Sequence, residues 1–294
     1  MTMIKQRRPR GKPALFTPEH AAARYGPPLA PVILSRVPVF APVDSRNRAP
    51  DVAIWETSWG QVEVRGGRLT QVHRRLMDAA VATHLRAELV PHPTQPPGMM
   101  LVGDPYQITH TMGTSTWDYR WLEGLLRDLR RAEVVIREKH RPIPTSVTGI
   151  LADFGRYDTK RRLHSGRLSH RDDELRDMIY LTISGPWWAL WADRPVAHYR
   201  DLLHGISRLK PASQAVARLC LTQADGWHIT VDNALRTVGA WDTARTDTAA
   251  QRRKRWRRTI RRDAERLREI GIHLDSRDLL TYHRPPSVYV WHPD

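Results

Sequence analysis

The sequence predicts an α+β, predominantly helical fold: two tandem winged-helix domains, each a helix-turn-helix with a β-wing, behind a disordered basic N-terminal arm. Three observations carry that expectation. The order helix, short helix, helix, strand pair can be read twice along the chain. The third helix of the second set is dense in arginine, and the first fifty residues are rich in proline and arginine. The expected divisions are 1–50 for the arm, 52–194 for the N-terminal domain and 195–294 for the C-terminal, DNA-reading domain.

The arm runs from QRRPRGKPALF through YGPPLAPVILSRVPVFAPVDSRNRAP. Proline fixes φ and removes a backbone donor, so neither a helix nor a central strand is expected there. VILSRVPVF is the part expected to lie along the first domain as an edge segment. From Val52 onward, IWETSWGQVEVRGG reads as a short strand or hairpin arm. RLTQVHRRLMDAAVATHLRAEL follows as a helix, with Thr70 as its cap and Leu69, Val72, Leu76, Ala80 and then Thr83 or Leu85 as its buried stripe. After the break HPTQPPG comes a short apolar run, MMLVG. DPYQITHTM then starts a short helix with Pro105 at its first position, ended by Gly113. Ser115 is the expected cap of a third helix, TWDYRWLEGLLRDLRRA, which turns Trp121, Leu122, Leu125, Leu126 and Leu129 inward. Residues 134–136 and 147–154 complete the set as the wing, around a charged turn at 137–144.

Residues 156–177 are polar and charged, and read as an insertion or long loop. MIYLTIS is a strand, and Trp187, Trp188 and Trp191 are expected in core or inter-domain packing. The second set opens with VAHYRDLLHGISRL as a linking helix. PASQAVARLCLTQ starts at Pro211, and Thr230 caps VDNALRTVG, which Gly239 closes. Behind the basic helix, 272–274 or 279–282, and then 288–291, are the strand candidates, with Arg284, Pro285 and Pro286 at a wing-like turn.

The basic helix itself is expected over 249–271. Between Gln251 and Arg268 it carries ten Lys or Arg residues, while Ala249, Trp256, Ile260, Ala264, Leu267 and Ile270 fall on one helical stripe. One side therefore docks on a core and the other is a rack of guanidinium groups. Gly271 stands where a glycine would end the helix. The whole chain of 294 residues has 47 Lys and Arg against 31 Asp and Glu, a formal net charge of +16. Such a balance supplies sequence-independent attraction to phosphate. No run approaches the eighteen or so apolar residues of a spanning helix. No apolar stretch follows the N-terminal arginines as a secretory signal would require. Cys220 is the only cysteine, which excludes an internal disulfide and a cysteine-based zinc finger and fits a reducing compartment. A cytoplasmic location without membrane contact is the expectation.

Chemistry is sparse. There is no Walker-type loop, no GxGxxG after a strand, no His-x-His pair and no HExxH. His164 and Arg167 form a loose HxxR in a charged loop, without the Arg and Tyr constellation a tyrosine recombinase needs. No catalytic residue, metal ligand or cofactor is assigned. The candidate DNA-binding residues are Arg252, Arg253, Lys254, Arg255, Arg257, Arg258, Arg261, Arg262 and Arg284 in the second half. In the first half they are Arg120, Arg127, Arg131, Arg137 and Lys139.

On RGGRLTQVHRRLMDA in the first half and TAAQRRKRWRRTIRRDAERLREIGI in the second, the chain resembles replication initiator proteins of iteron plasmids, the TrfA-like and RepA-like group. The resemblance implies binding of double-stranded DNA at short direct repeats of an origin, local opening of an AT-rich segment, and recruitment of host DnaA and the replicative helicase. It also implies dimerisation through the first domain, making a homodimer a candidate assembly. Arg156, Lys160, Arg161 and Arg162 make single-stranded DNA a further candidate partner. The alternative is a winged-helix transcriptional repressor that regulates its own promoter.

Overall fold

A hydroxyl ahead of an apolar-periodic run starts the first long helix. The Thr70 side chain accepts the Val72 N–H at 3.3 Å, and His73 Nδ1 accepts the Thr70 N–H at 3.0 Å. This reciprocal cap satisfies donors the first helical turn leaves open. The computed structural model describes residues 29–36, 38–43, 52–56, 60–66, 69–114, 118–139, 145–158, 162–166, 168, 178–192, 195–240 and 247–291.

In chain order, β1 (Ala30–Pro31) leads into a single turn, α1 (Ile33–Arg36), and then the hairpin β2 (Val52–Glu56) and β3 (Gly60–Arg65). Helix α2 (Gln71–Thr83) is followed by β4 (Arg86–Val90), β5 (Gly98–Gly103), α3 (Pro105–Thr111) and α4 (Tyr119–Arg131). Next come β6 (Glu133–Glu138), β7 (Thr145–Thr148), β8 (Leu151–Tyr157), β9 (Leu163–Ser165), β10 (Met178–Ile183), α5 (Gly185–Ala192) and β11 (Val196–His198). After a 3-10 turn, α6 (Leu203–Ser207) and α7 (Pro211–Leu221) lead to β12 (His228–Thr230) and α8 (Val231–Thr237). The chain finishes with α9 (Asp247–Arg262), α10 (Ala264–Glu269), β13 (Ile272–Leu274), β14 (Leu279–Tyr282) and β15 (Tyr289–Trp291).

This overturns the expectation of a predominantly helical pair of winged-helix domains. The described residues are 42% helical and 31% strand, a mixed α/β fold with four antiparallel sheets. The largest sheet has the order β4-β5-β10-β8-β9, and a second has the order β2-β3-β6-β7. Two three-stranded sheets follow, β1-β11-β15 and β12-β14-β13. The physical reason is non-local pairing. MMLVG and MIYLTIS read as isolated short runs, yet Leu101 is opposite Leu181 in the five-stranded sheet. Local periodicity carries no trace of a partner that far along the chain.

Smaller corrections share that cause. The helix expected to run through HLRAEL stops at Thr83, and Arg86–Val90 pairs with β5 instead. The expected wing strand 147–154 divides at Gly149: β7 stays with β6 while β8 crosses to the other sheet. The expected loop 156–177 begins as β8 and returns as β9, with Gly155 opposite Ser165. The expected linking helix opens as β11, paired to β1 and β15. Asp118, whose side chain accepts the Arg120 N–H, caps α4; Ser115 lies outside the described residues. Trp121 faces outward on α4, at 37% exposure.

The arm is corrected in part. Leu29, Val32, Leu34, Val39, Phe40 and Ala41 are buried, β1 is an edge strand, and Ile33–Arg36 is helical despite the flanking prolines. Burial of these apolar residues outweighs the local bias against order. The rest of 1–50 lies outside the described residues. One apolar core takes in Leu29 and Phe40, Met77 of α2, Trp187 and Trp188 of α5, Leu219 of α7 and Val290 of β15, so it crosses position 195.

Candidate nucleic-acid interface

The basic helix is built from its apolar stripe outward. Ala249 and Ile260 are fully buried, and Trp256 packs against the core half-buried. Leu267 and Ile270 continue the stripe on α10, so the expected docking face is the observed one. The single expected helix is however two. Asp263 (φ −93°, ψ 6°) separates α9 from α10, and its carboxylate is 2% exposed. It accepts the Lys210 backbone N–H at 2.8 Å, which ties the joint to the start of α7. Gly271 ends α10 at φ 85°, its N–H donated to Arg268 O.

Two acids from neighbouring elements grip one flank of α9. Thr230 caps α8 by accepting the Asn233 N–H, and Asp232 lies in the first turn, where an acid complements the helix dipole. The Asp232 carboxylate takes the Arg257 Nε and Nη2 donors as a bidentate pair. Asp278, in the turn between β13 and β14, takes Arg261 Nε at 2.9 Å and Nη2 at 2.5 Å. Its own carbonyl accepts the Val231 N–H, so this turn, α8 and α9 are tied together. These hydrogen bonds hold the Arg257 and Arg261 guanidiniums above the ordinary arginine value. Arg261 in turn holds the Asp278 carboxyl below the usual carboxylate range.

Beside that flank, on the face opposite the buried stripe, the helix is unopposed. Lys254, Arg258 and Arg262 follow one another at i, i+4 and i+8, one stripe about 12 Å long at 1.5 Å rise per residue. All three are exposed, as is Arg255 beside them, and among the described residues none has an acidic partner. Arg252 (exposed) and Arg253 (half-buried) each engage a partner. The structure thus divides the candidate residues of α9: Arg257 and Arg261 fix the helix, while Lys254, Arg255, Arg258 and Arg262 face outward.

The remaining candidates lie elsewhere. Arg284 is half-buried and its Nη2 donates to Gln223 O at 2.7 Å, a rivet between the chain after β14 and the end of α7. Arg120 and Arg131 are exposed on α4, whereas Arg127 pairs with Glu123 one turn earlier. Arg137 and Lys139 are exposed at the end of β6 and just beyond it. Of the residues suggested for a single strand, Arg156 is half-buried on β8 and Arg162 pairs with Asp158 at 2.8 Å; Lys160 and Arg161 lie outside the described residues.

Sequence reasoning missed Asp232 and Asp278. An acid two residues after a cap was a legible signal for Asp232, but Asp278 meets Arg261 only through the β13–β14 turn. Among the described residues no cluster of three metal-ligating side chains occurs, and no helix is long and apolar enough to cross a membrane. Burial pushes the Cys220 thiol up to about 12, so it is no nucleophile at neutral pH. Trp187 and Trp188 are core residues, at 1% and 2% exposure. Comparison with family models, with curated proteins and with solved structures gives no match.

Proposed function

We propose that this chain binds double-stranded DNA sequence-specifically through α9 and acts as a plasmid replication initiator at origin direct repeats. In that role it promotes origin opening in the cytoplasm and brings in host DnaA and the replicative helicase. The observation that carries the DNA-binding reading is the outward stripe of α9. Four exposed cations, without acidic partners among the described residues, stand on a helix whose orientation is fixed by two flanking acids and a buried stripe. The major groove, about 12 Å wide, admits one α-helix, and arginine is the side chain that most often reads guanine there. Fixing the helix from behind lets the outward side chains hold register on bases while flanking cations meet phosphate.

The replication role rests on the resemblance of the two basic segments to iteron-binding initiators. The surface cations of α4 and β6 serve as supporting phosphate contacts in this reading, and the first half offers the surface for a homodimer.

A footprint on the plasmid's own intergenic DNA, combined with permanganate probing of the supercoiled origin, tests the proposal. Protection of several direct repeats about two helical turns apart, with reactive thymines in the adjoining AT-rich stretch, is the expected result. Protection of a single inverted repeat over a promoter, without opening even when DnaA is added, would establish a repressor instead.

A further inference from the structure

Arg74 on α2 and Arg218 on α7, each 3% exposed, flank a single carboxylate, Asp78, itself 1% exposed. Arg74 Nε donates to Asp78 Oδ1 at 2.9 Å and Arg218 Nε donates to Oδ2 at 2.8 Å. Among the described residues Asp78 is the only acid that either guanidinium pairs with. The cluster therefore holds two positive charges and one negative. Its other partners are neutral. Arg74 Nη2 donates to the Tyr199 hydroxyl at 3.2 Å, and Arg218 Nη1 donates to Gln71 Oε1 at 3.2 Å and to Gln214 O at 3.3 Å. Burial raises the Tyr199 phenol above its ordinary value, so it does not supply the missing charge. A surplus cation this deeply buried is unfavourable unless an anion meets it.

Beside the two arginines is a pocket of about 20 Å³, open to solvent on one side and lined by Ser35, Gln71, Arg74 and Arg218 and, on its apolar side, by Phe40 and Val238. Ser35 is 6% exposed and its hydroxyl has no hydrogen-bond partner. A space of this size takes one water-sized particle or little more. That is too small for a phosphate or sulfate with its four oxygens. It suits a single atom.

We propose that this cavity is a binding site for a monoatomic anion, chloride, held by the Arg74 and Arg218 guanidiniums and the Ser35 hydroxyl. The site is independent of whether α9 reads DNA. Its ligands come from α1, α2 and α7, so the ion fastens the N-terminal segment to helices on both sides of position 195. Chloride then has two opposite effects on this protein. It stabilises the fold through the cavity, while salt in general weakens any phosphate contacts at the surface.

The test uses the full chain. Thermal unfolding is followed in chloride and, at equal ionic strength, in gluconate, which is far too large for the cavity. Stability should rise with chloride and follow a one-site curve. Chloride at ten times its Kd multiplies the folded-to-unfolded ratio by about 11, a Tm rise of about 2 °C for a chain of this size. Ser35→Ala keeps the shape of the site and removes one donor, so the chloride midpoint should move up about tenfold. Crystals soaked in bromide should show an anomalous peak in the cavity. Equal Tm in both salts, an unchanged midpoint in Ser35→Ala and no bromide peak would show that water fills the cavity, and the proposal would be wrong.

Discussion

Helices α4 and α9 both turn arginines to solvent, and they answer that charge in different ways. In α4 most of the acids are on the helix itself, and only Arg130 meets one from outside, Asp153 of β8 at 3.6 Å, among the described residues. Asp118 caps it, Glu123 pairs with Arg127 one turn on, and Asp128 is buried 3.2 Å from His73. In α9 no acid stands between Asp247 and Asp263, and two acids that pair with it, Asp232 and Asp278, come from neighbouring elements. An acid on the same helix cancels the local field within a Debye length of about 8–10 Å. An acid from outside holds the helix by one edge and leaves the other edge charged. The four arginines of α4 thus make a solvated surface, and the seven of α9 a directed one.

The sharpest way to break this comparison is to remove the outward cations from each helix. Lys254→Gln, Arg258→Gln and Arg262→Gln combined should weaken DNA binding by about 10²–10³-fold and lower the salt slope by about 3. Arg120→Gln, Arg127→Gln and Arg131→Gln combined should cost less than about tenfold, because those contacts are supportive. Fluorescence anisotropy against salt concentration measures both. Equal losses from the two triples would mean that the location of the acid partners does not decide which helix binds.

A second contrast concerns how each set of helices ends. Gly271 follows α10 at φ 85°, and a Cβ there would overlap the His283 carbonyl oxygen, part of a backbone pair that cannot move cheaply. Gly113 follows α3 at φ 74°, and a Cβ there would meet the Ser207 Oγ at 2.5 Å, which can rotate away, and the Ser207 Cβ at 2.9 Å, which must give by a small shift. Gly271→Ala should destabilise the protein by about 2–4 kcal/mol and Gly113→Ala by about 1 kcal/mol, in urea unfolding. Similar losses at both would show that backbone strain alone, without the carbonyl contact, sets the cost.

The same contrast explains what could be read from the sequence. The C-terminal part was legible because its signals are local. Thr230 caps the helix it was expected to cap, Ile260, Leu267 and Ile270 lie on the expected stripe, and Gly271 ends the run. In the five-stranded sheet the deciding contacts are far apart in sequence. Met100 faces Thr182 and Arg156 faces His164, yet neither run announces a partner. The burial of Phe40 was hidden by its prolines, and the buried Arg74–Asp78–Arg218 cluster joins positions 140 residues apart. At the candidate interface the cations were legible, but their division into fixed and outward sets depends on Asp232 and Asp278.

That division yields the smallest and most specific expectation. The Asp278 carboxyl lies below its ordinary value of 3.8 because Arg261 hydrogen-bonds its charged form. A depressed carboxyl contributes stability that is fully present above the unfolded value and is lost as pH falls through the folded one. The tie between α9 and the β13–β14 turn should therefore hold at pH 5 and above and loosen below about pH 4. At neutral pH, Asp278→Asn imitates the loosened state and releases Arg261. Its fold should survive, since Arg261 and Asp278 are both at the surface side of the pair, at 60% and 28% exposure. The released guanidinium can then meet phosphate, so the salt slope should rise by about 1 while discrimination between specific and random DNA narrows. Glu123→Gln on α4 releases Arg127 in the same way and should raise the slope by less, with discrimination unchanged, because contacts there are supportive. Should Glu123→Gln raise the slope and Asp278→Asn leave it alone, α4 and not α9 lies against the DNA.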